Sequence, residues 1–211
     1  DHNNNSIVLD LKNNFNANAD EKIYNKDHFN SLSETQNITE VSENNFIINS
    51  NLTIKKNTLI KKNEKLTLGK GKEINIKSNA TLYIEGEILF INDEDNYTKI
   101  YSQDKTGSLI FSNNNFKMKN IIFQNLSKPS LNNYILYGGV NFINSNLTLK
   151  NIIVKNSNNE DGINIINSKS ELTNVYFDNI AADALDVDFG EMKFTNLNCQ
   201  KINNDCLDVS G

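Results

Sequence analysis

The apolar residues of this chain recur in short alternating groups, such as Leu52-Thr53-Ile54 and Leu66-Thr67-Leu68, separated by Lys, Asn, Gly or Ser. Alternation with a period of two marks a strand with one buried face rather than a helix. Written in lines from about residue 46, the groups fall into columns at an offset of 22: Leu52 over Ile74, Ile54 over Ile76, Ile60 over Leu82, Leu66 over Ile88 and Leu68 over Phe90. Three strand groups share each line, which predicts a coil of three short strands joined by three turns. After an irregular stretch over 91–137 the register returns. Leu149, Leu172 and Phe194 form one column, Ile152, Val175 and Leu197 a second, and Val154, Phe177 and Cys199 a third, at successive offsets of 23 and 22. One such coil cannot bury its own apolar face, but coils stacked at about 4.8 Å join these columns into a continuous core. The pattern therefore predicts an all-β fold over 45–211: a right-handed parallel β-helix, a three-sheet solenoid with coils of about 22 residues.

Residues 1–44 lack the period and read as an N-terminal capping segment or linker, with a short helix over 19–32 suited to covering an open solenoid end. At the other terminus Leu207-Asp208-Val209 is in full register, so further coils are expected beyond the chain end. Parallel stacking also brings like residues together. Asn151, Asn174 and Asn196 are predicted to form a ladder of side-chain amides at the bend before the Ile152, Val175 and Leu197 column.

Composition narrows the function. The chain carries a net charge of −5, and its lysines are scattered with no Arg to fork onto phosphate or guanine, which argues against nucleic acid as a partner. No run approaches the roughly 20 apolar residues of a membrane span, so no transmembrane segment is expected. Cys199 and Cys206 are too few for a disulfide framework and are not spaced as zinc ligands; they read as buried thiols.

The closest internal repeat lies near the C-terminus. Asp161-Gly162-Ile163-Asn164-Ile165, Asp183-Ala184-Leu185-Asp186-Val187 and Asp205-Cys206-Leu207-Asp208-Val209 align at offsets of 22, and Gly138-Gly139-Val140-Asn141-Phe142 precedes them at 23. Strand alternation turns the aliphatic residues inward and Asn164, Asp186, Asp188 and Asp208 to solvent. The leading Asp161, Asp183 and Asp205 fall at the turn entering each strand, where an Asp accepts backbone N–H bonds. Like charges on adjacent coils repel, and a hard cation relieves that repulsion. Calcium is therefore the candidate ligand of Asp186, Asp188 and Asp208, although no cofactor is required.

Residues 107–211, with Gly107-Ser108-Leu109-Ile110-Phe111, Tyr137-Gly138-Gly139-Val140, Asp183-Ala184-Leu185-Asp186-Val187-Asp188-Phe189 and Asn204-Asp205-Cys206-Leu207-Asp208-Val209, resemble bacterial right-handed parallel β-helix repeat proteins. Some of those are encoded beside, or fused to, spore-coat-protein-H-like kinase domains. The resemblance implies the fold more than an activity. A narrower one joins Asn204-Asp205-Cys206-Leu207 to the Asp-Asp-Cys strand of polygalacturonase-type glycosidases, whose other catalytic Asp lies one coil earlier, at the place of Asp183. Asn204 stands where that family has a catalytic Asp, and the family's Gly-His-Gly and Arg-Ile-Lys strings are absent.

Three functional classes follow. The first is a non-catalytic secreted or cell-surface β-helix that binds glycan, an envelope component or a protein. The second is a polysaccharide-degrading enzyme, a glycoside hydrolase rather than a lyase, with Asp183 and Asp205 as the carboxyl pair. The third is a structural fibre or filament component.

Overall fold

The computed structural model describes residues 7–11, 29–93, 96–130 and 136–210. It is a nearly all-β chain, 64% strand, wound into a parallel β-solenoid of about 7 turns with coils of about 23 residues. Most of the helix expected over 19–32 lies outside the described residues. Of its last residues, Asn30–Ser31 is a short strand, β2, and Leu32–Glu34 a single 3-10 turn. Among the described residues no helix is long and apolar enough to cross a membrane.

Strands stack in three columns. The first holds β4 (Asn45–Ile48), β7 (Lys65–Leu68) and β10 (Glu87–Phe90), and continues through parts of the longer β13 (Asn115–Gln124), β15 (Asn146–Ser157), β16 (Asp161–Ile180) and β17 (Asp183–Ile202). The second holds β5 (Leu52–Ile54), β8 (Ile74–Ile76) and β11 (Thr98–Tyr101), then the C-terminal parts of β13, β15, β16 and β17. In the third, β2 is followed by β6 (Thr58–Ile60), β9 (Thr81–Ile84), β12 (Ser108–Ser112) and β14 (Gly138–Ile143), then the starts of β16 and β17, and β18 (Leu207–Ser210). Ladders within these columns are parallel. At the N-terminal end β3 (Thr39–Ser42) pairs antiparallel with β4, while β1 (Ile7–Leu11) pairs antiparallel with β17 at the opposite end.

The expected columns are hydrogen-bonded neighbours at Leu52/Ile74, Ile54/Ile76, Leu66/Ile88, Leu68/Phe90, Leu149/Leu172/Phe194, Ile152/Val175/Leu197 and Val154/Phe177/Cys199. One differs. Ile60 pairs with Ile84, and Leu82 with Thr58, because the turn leading into β9 is two residues longer than a constant offset of 22 allows. The stretch over 91–137 is also more regular than its sequence suggests, since β11, β12 and β13 all lie within it. Longer turns hide the period there. Residues 102–107 fold around Ser102, whose Oγ accepts the N–H groups of Thr106 and Gly107 at 3.0 and 2.9 Å. The ladder of the first column is broken between β10 and β13, and side-chain amides bridge the gap. Asn92 Nδ2 donates to the carbonyls of Lys119 and Asn120, and Asn114 Nδ2 to those of Glu85 and Gly86.

Asparagine builds the corners. Asn120, Asn151, Asn174 and Asn196 all have φ between 54° and 59°, the left-handed region that Asn enters more easily than most residues. Such a residue turns the chain from the first sheet to the second without ending the strand, so β16 and β17 each run 20 residues around two corners. The amides then link coil to coil: Asn151 donates to Asn120 at 2.8 Å, Asn174 to Asn151 at 3.0 Å and Asn196 to Asn174 at 2.8 Å. The other two corners repeat the device. Asn179 donates to Asn156 at 2.9 Å and Asn167 to Asn144 at 2.6 Å, again between residues of positive φ. In the last coil Phe189 and Lys201 take those two corner positions, so only the first ladder continues.

The axial core is a single cluster running from Leu32 to Met192. Phe111 and Phe142, on adjacent coils, stack with ring centroids 4.8 Å apart. A second, smaller cluster lies on the outer face of the third sheet, where Leu59, Tyr83, Ile110, Leu136 and Ile143 are buried with Phe29 packed against them.

Candidate functional site

That outer face changes character along the axis. Register puts Leu59, Tyr83, Ile110, Asn141, Asn164, Asp186 and Asp208 in one column, apolar at one end and acidic at the other. A neighbouring column runs Ile143, Ile166, Asp188, Ser210. Asn164 was expected to face solvent, but it is only 1% exposed. The corner entering β16 breaks the simple alternation. A Cβ at Gly162 would lie 3.3 and 3.4 Å from Phe177 and Ile180 side-chain atoms, so position 162 points inward, as Ile163 does, and Asp161 is left on the outer face with Asn164.

Asn164 Nδ2 donates to Asp186 Oδ2 at 2.6 Å and also to Asp188 Oδ2 at 3.3 Å, so one amide holds two carboxylates. Asp188 Oδ1 accepts the Ser210 hydroxyl from the next coil. Asp208 is exposed, and its Oδ1 accepts the N–H of Val209 at 2.8 Å. Among the described residues no group of three or more His, Cys, Asp or Glu is placed to hold a metal ion.

The three turn acids play different parts. Asp183 Oδ1 accepts the Asp205 N–H at 2.9 Å and the Asn204 side-chain amide at 2.8 Å, so it sits under the turn of the following coil. Asp205 is exposed, with its backbone carbonyl accepting from the Ala184 N–H at 2.8 Å. Asp161 departs from expectation: it is 2% exposed, and its Oδ2 has no hydrogen-bond partner among the described residues. Burial, followed by the charges of Asp186, Glu160, Asp183 and Asp188, pushes its carboxyl up to about 8. Asp186 rises to about 7 through burial and the charges of Asp188 and Asp208, against the opposing Asn164 hydrogen bond. At neutral pH this face therefore keeps protons that ordinary aspartates have lost.

Cys199 and Cys206 are not buried thiols. They form a disulfide with Cα atoms 5.8 Å apart, tying the second sheet of the last coil to the turn that precedes β18. Sequence separation alone gave no sign of it. The corner at residues 201–204 doubles the chain back and brings the two side chains together.

A concavity unmarked by any motif lies at the opposite end of the solenoid. It is a polar cleft of about 570 Å3 at the corner between the second and third sheets. Lys55, Lys56 and Lys77 line it, with Thr53 and Thr58 beside them. Its other wall is the N-terminal segment carrying Asn30, Glu34, Gln36 and Asn37. Comparison with known proteins brings no match: no family model, no curated protein and no solved structure is similar to this chain.

Proposed function

We propose that this chain is a non-catalytic secreted or cell-surface solenoid that binds glycan or another envelope component. The observation that carries the reading is the use made of Asp183. One of its oxygens is taken up by two N–H donors of the next coil, which is what a residue that builds a turn does. A glycosidase acid instead needs to face a sugar with its proton free to move. Asp205 therefore lacks a partner poised for hydrolysis. The disulfide supports an oxidising compartment outside the cytosol.

Retention of the purified chain on insoluble polysaccharides and isolated cell envelopes, with reducing-end and unsaturated-product assays run alongside, tests the reading. Retention without products supports it. Product formation abolished by Asp183→Asn or Asp205→Asn makes the chain a hydrolase and overturns it.

A further inference from the structure

Some lysines of this solenoid face an acid on the next coil. Lys65 meets Glu87 at 3.3 Å, Lys169 meets Glu191 at 2.8 Å and Lys70 meets Asp93. The corner that follows β5 and β8 has no such pair among the described residues. Ile54 and Ile76 are ladder partners, so Lys55 and Lys77, the residues after them, stack lysine on lysine, with Lys56 beside them. None of the three makes an ion pair among the described residues, in a chain whose net charge is −5. Stacked ammonium groups repel, and an anion placed between them removes the repulsion.

Lys55 and Lys56 are exposed and Lys77 is half-buried. They line the cleft of about 570 Å3, a size within the ordinary range of small-ligand sites. Its walls are held by the backbone. Asn30 N–H donates to the Asn57 carbonyl at 2.9 Å, Lys77 N–H to the Ile54 carbonyl at 3.0 Å, and Leu32, wholly buried, anchors the opposite wall in the axial core. Glu34, the one acid in the lining, accepts the Ser31 hydroxyl at 3.2 Å. Asn30, Gln36 and Asn37 add amides. Amides and hydroxyls suit sugar hydroxyl groups, ammonium groups suit carboxylates, and among the described residues no aromatic ring lines the cleft for a base to stack on.

We propose that this cleft binds a carboxylate-bearing oligosaccharide, a short run containing uronate residues, through Lys55, Lys56 and Lys77. The proposal rests on the glycan-binding reading above and names the class of glycan and the place where it docks.

Calorimetric titration of the whole chain with a hyaluronan tetrasaccharide, with neutral chitotetraose and with inorganic phosphate tests it. The variants are Lys55→Gln/Lys77→Gln and, as a control far along the solenoid, Lys150→Gln. The uronate oligosaccharide is expected to bind more tightly than either comparison ligand. The double variant should lose about tenfold or more in affinity, as expected for removing a charge-assisted hydrogen bond, while keeping the wild-type melting temperature. Lys150→Gln should bind as wild type. Equal binding of chitotetraose, equal lysine-dependent binding of phosphate, or an unchanged affinity in the double variant overturns the proposal. If the double variant is still retained on polysaccharide as strongly as wild type, the cleft assignment fails while the glycan-binding reading stands. If wild type is retained on no polysaccharide or envelope and binds no oligosaccharide, both fail.

Discussion

Leu185 and Leu207 are the same residue in the same column one coil apart, yet the first is fully buried and the second only partly. A like contrast appears one coil earlier, between β16 and β17. Leu172, Val175 and Phe177 are at most 3% exposed, whereas their ladder partners Phe194, Leu197 and Cys199 are only partly buried. It extends to the acids: Asp161 is buried, Asp183 sits beneath a turn, and Asp205 lies in the open. Three nearly identical segments thus have three different environments. The repeat sets what each residue is and which way it points, while the neighbours packed on it set how much water it meets.

Truncating the two leucines should break this symmetry most sharply. Leu185→Ala should cost about 2–5 kcal/mol, the range for a large-to-small change in a packed core, while Leu207→Ala costs less than half as much. Equal losses in chemical denaturation would mean that Leu207 is as well packed as Leu185.

The acids sharpen the comparison through pH. Asp161 and Asp186 hold their protons more tightly in the folded chain than in the unfolded one, with values of about 8 and about 7. The folded state therefore carries the extra protons between the ordinary carboxylate range and about pH 8, and stability falls as pH rises through that window. The slope reaches at most about 1.4 kcal/mol per pH unit for each proton involved. Asp161→Asn should flatten it and raise the melting temperature at pH 8. A melting temperature that climbs from pH 5 to pH 8 in wild type would show that the acids are ionised without cost.

Reduction of Cys199–Cys206 should loosen the last coil selectively. Opening a loop this short costs about 2.5 kcal/mol in the chain-entropy account, and hydrogen exchange should quicken over 197–210 while β15 stays protected. Uniform quickening along the solenoid would show that the coils do not open separately.

The smallest effect belongs to the corners. Asn174→Ala removes the middle of an amide ladder and puts alanine at a φ of 55°, a loss of about 1–2 kcal/mol. Asn174→Gly keeps the backbone conformation accessible and should recover part of it. No recovery would assign the whole effect to the amide hydrogen bonds.

Much of the fold was legible because a solenoid writes its contacts into the sequence as a constant offset. Leu149, Leu172 and Phe194 are neighbours in space for the same reason that they are aligned in the text. Where a turn lengthens, the reading falters: Ile60 was matched to Leu82 instead of Ile84, and β11 to β13 went unseen between their insertions. Only one of three asparagine ladders was recognised. Asn144/Asn167 and Asn156/Asn179 share its offset of 23 and were hidden by the sheer abundance of Asn in the chain.

The sequence by itself determined a stack of three-stranded coils, the residues that face inward along each strand, and the acids and amides that recur at each corner, because these depend on local alternation and a fixed repeat. Only the tertiary structure decided that Asp161 is buried with no partner for Oδ2 among the described residues, that Asn164 bridges Asp186 and Asp188, that the cysteines meet, and that Lys55 and Lys77 line one cleft. The N-terminal wall of the cleft, and Phe29 and Leu136 over the third sheet, come from parts of the chain outside the repeat, so no periodicity could announce them.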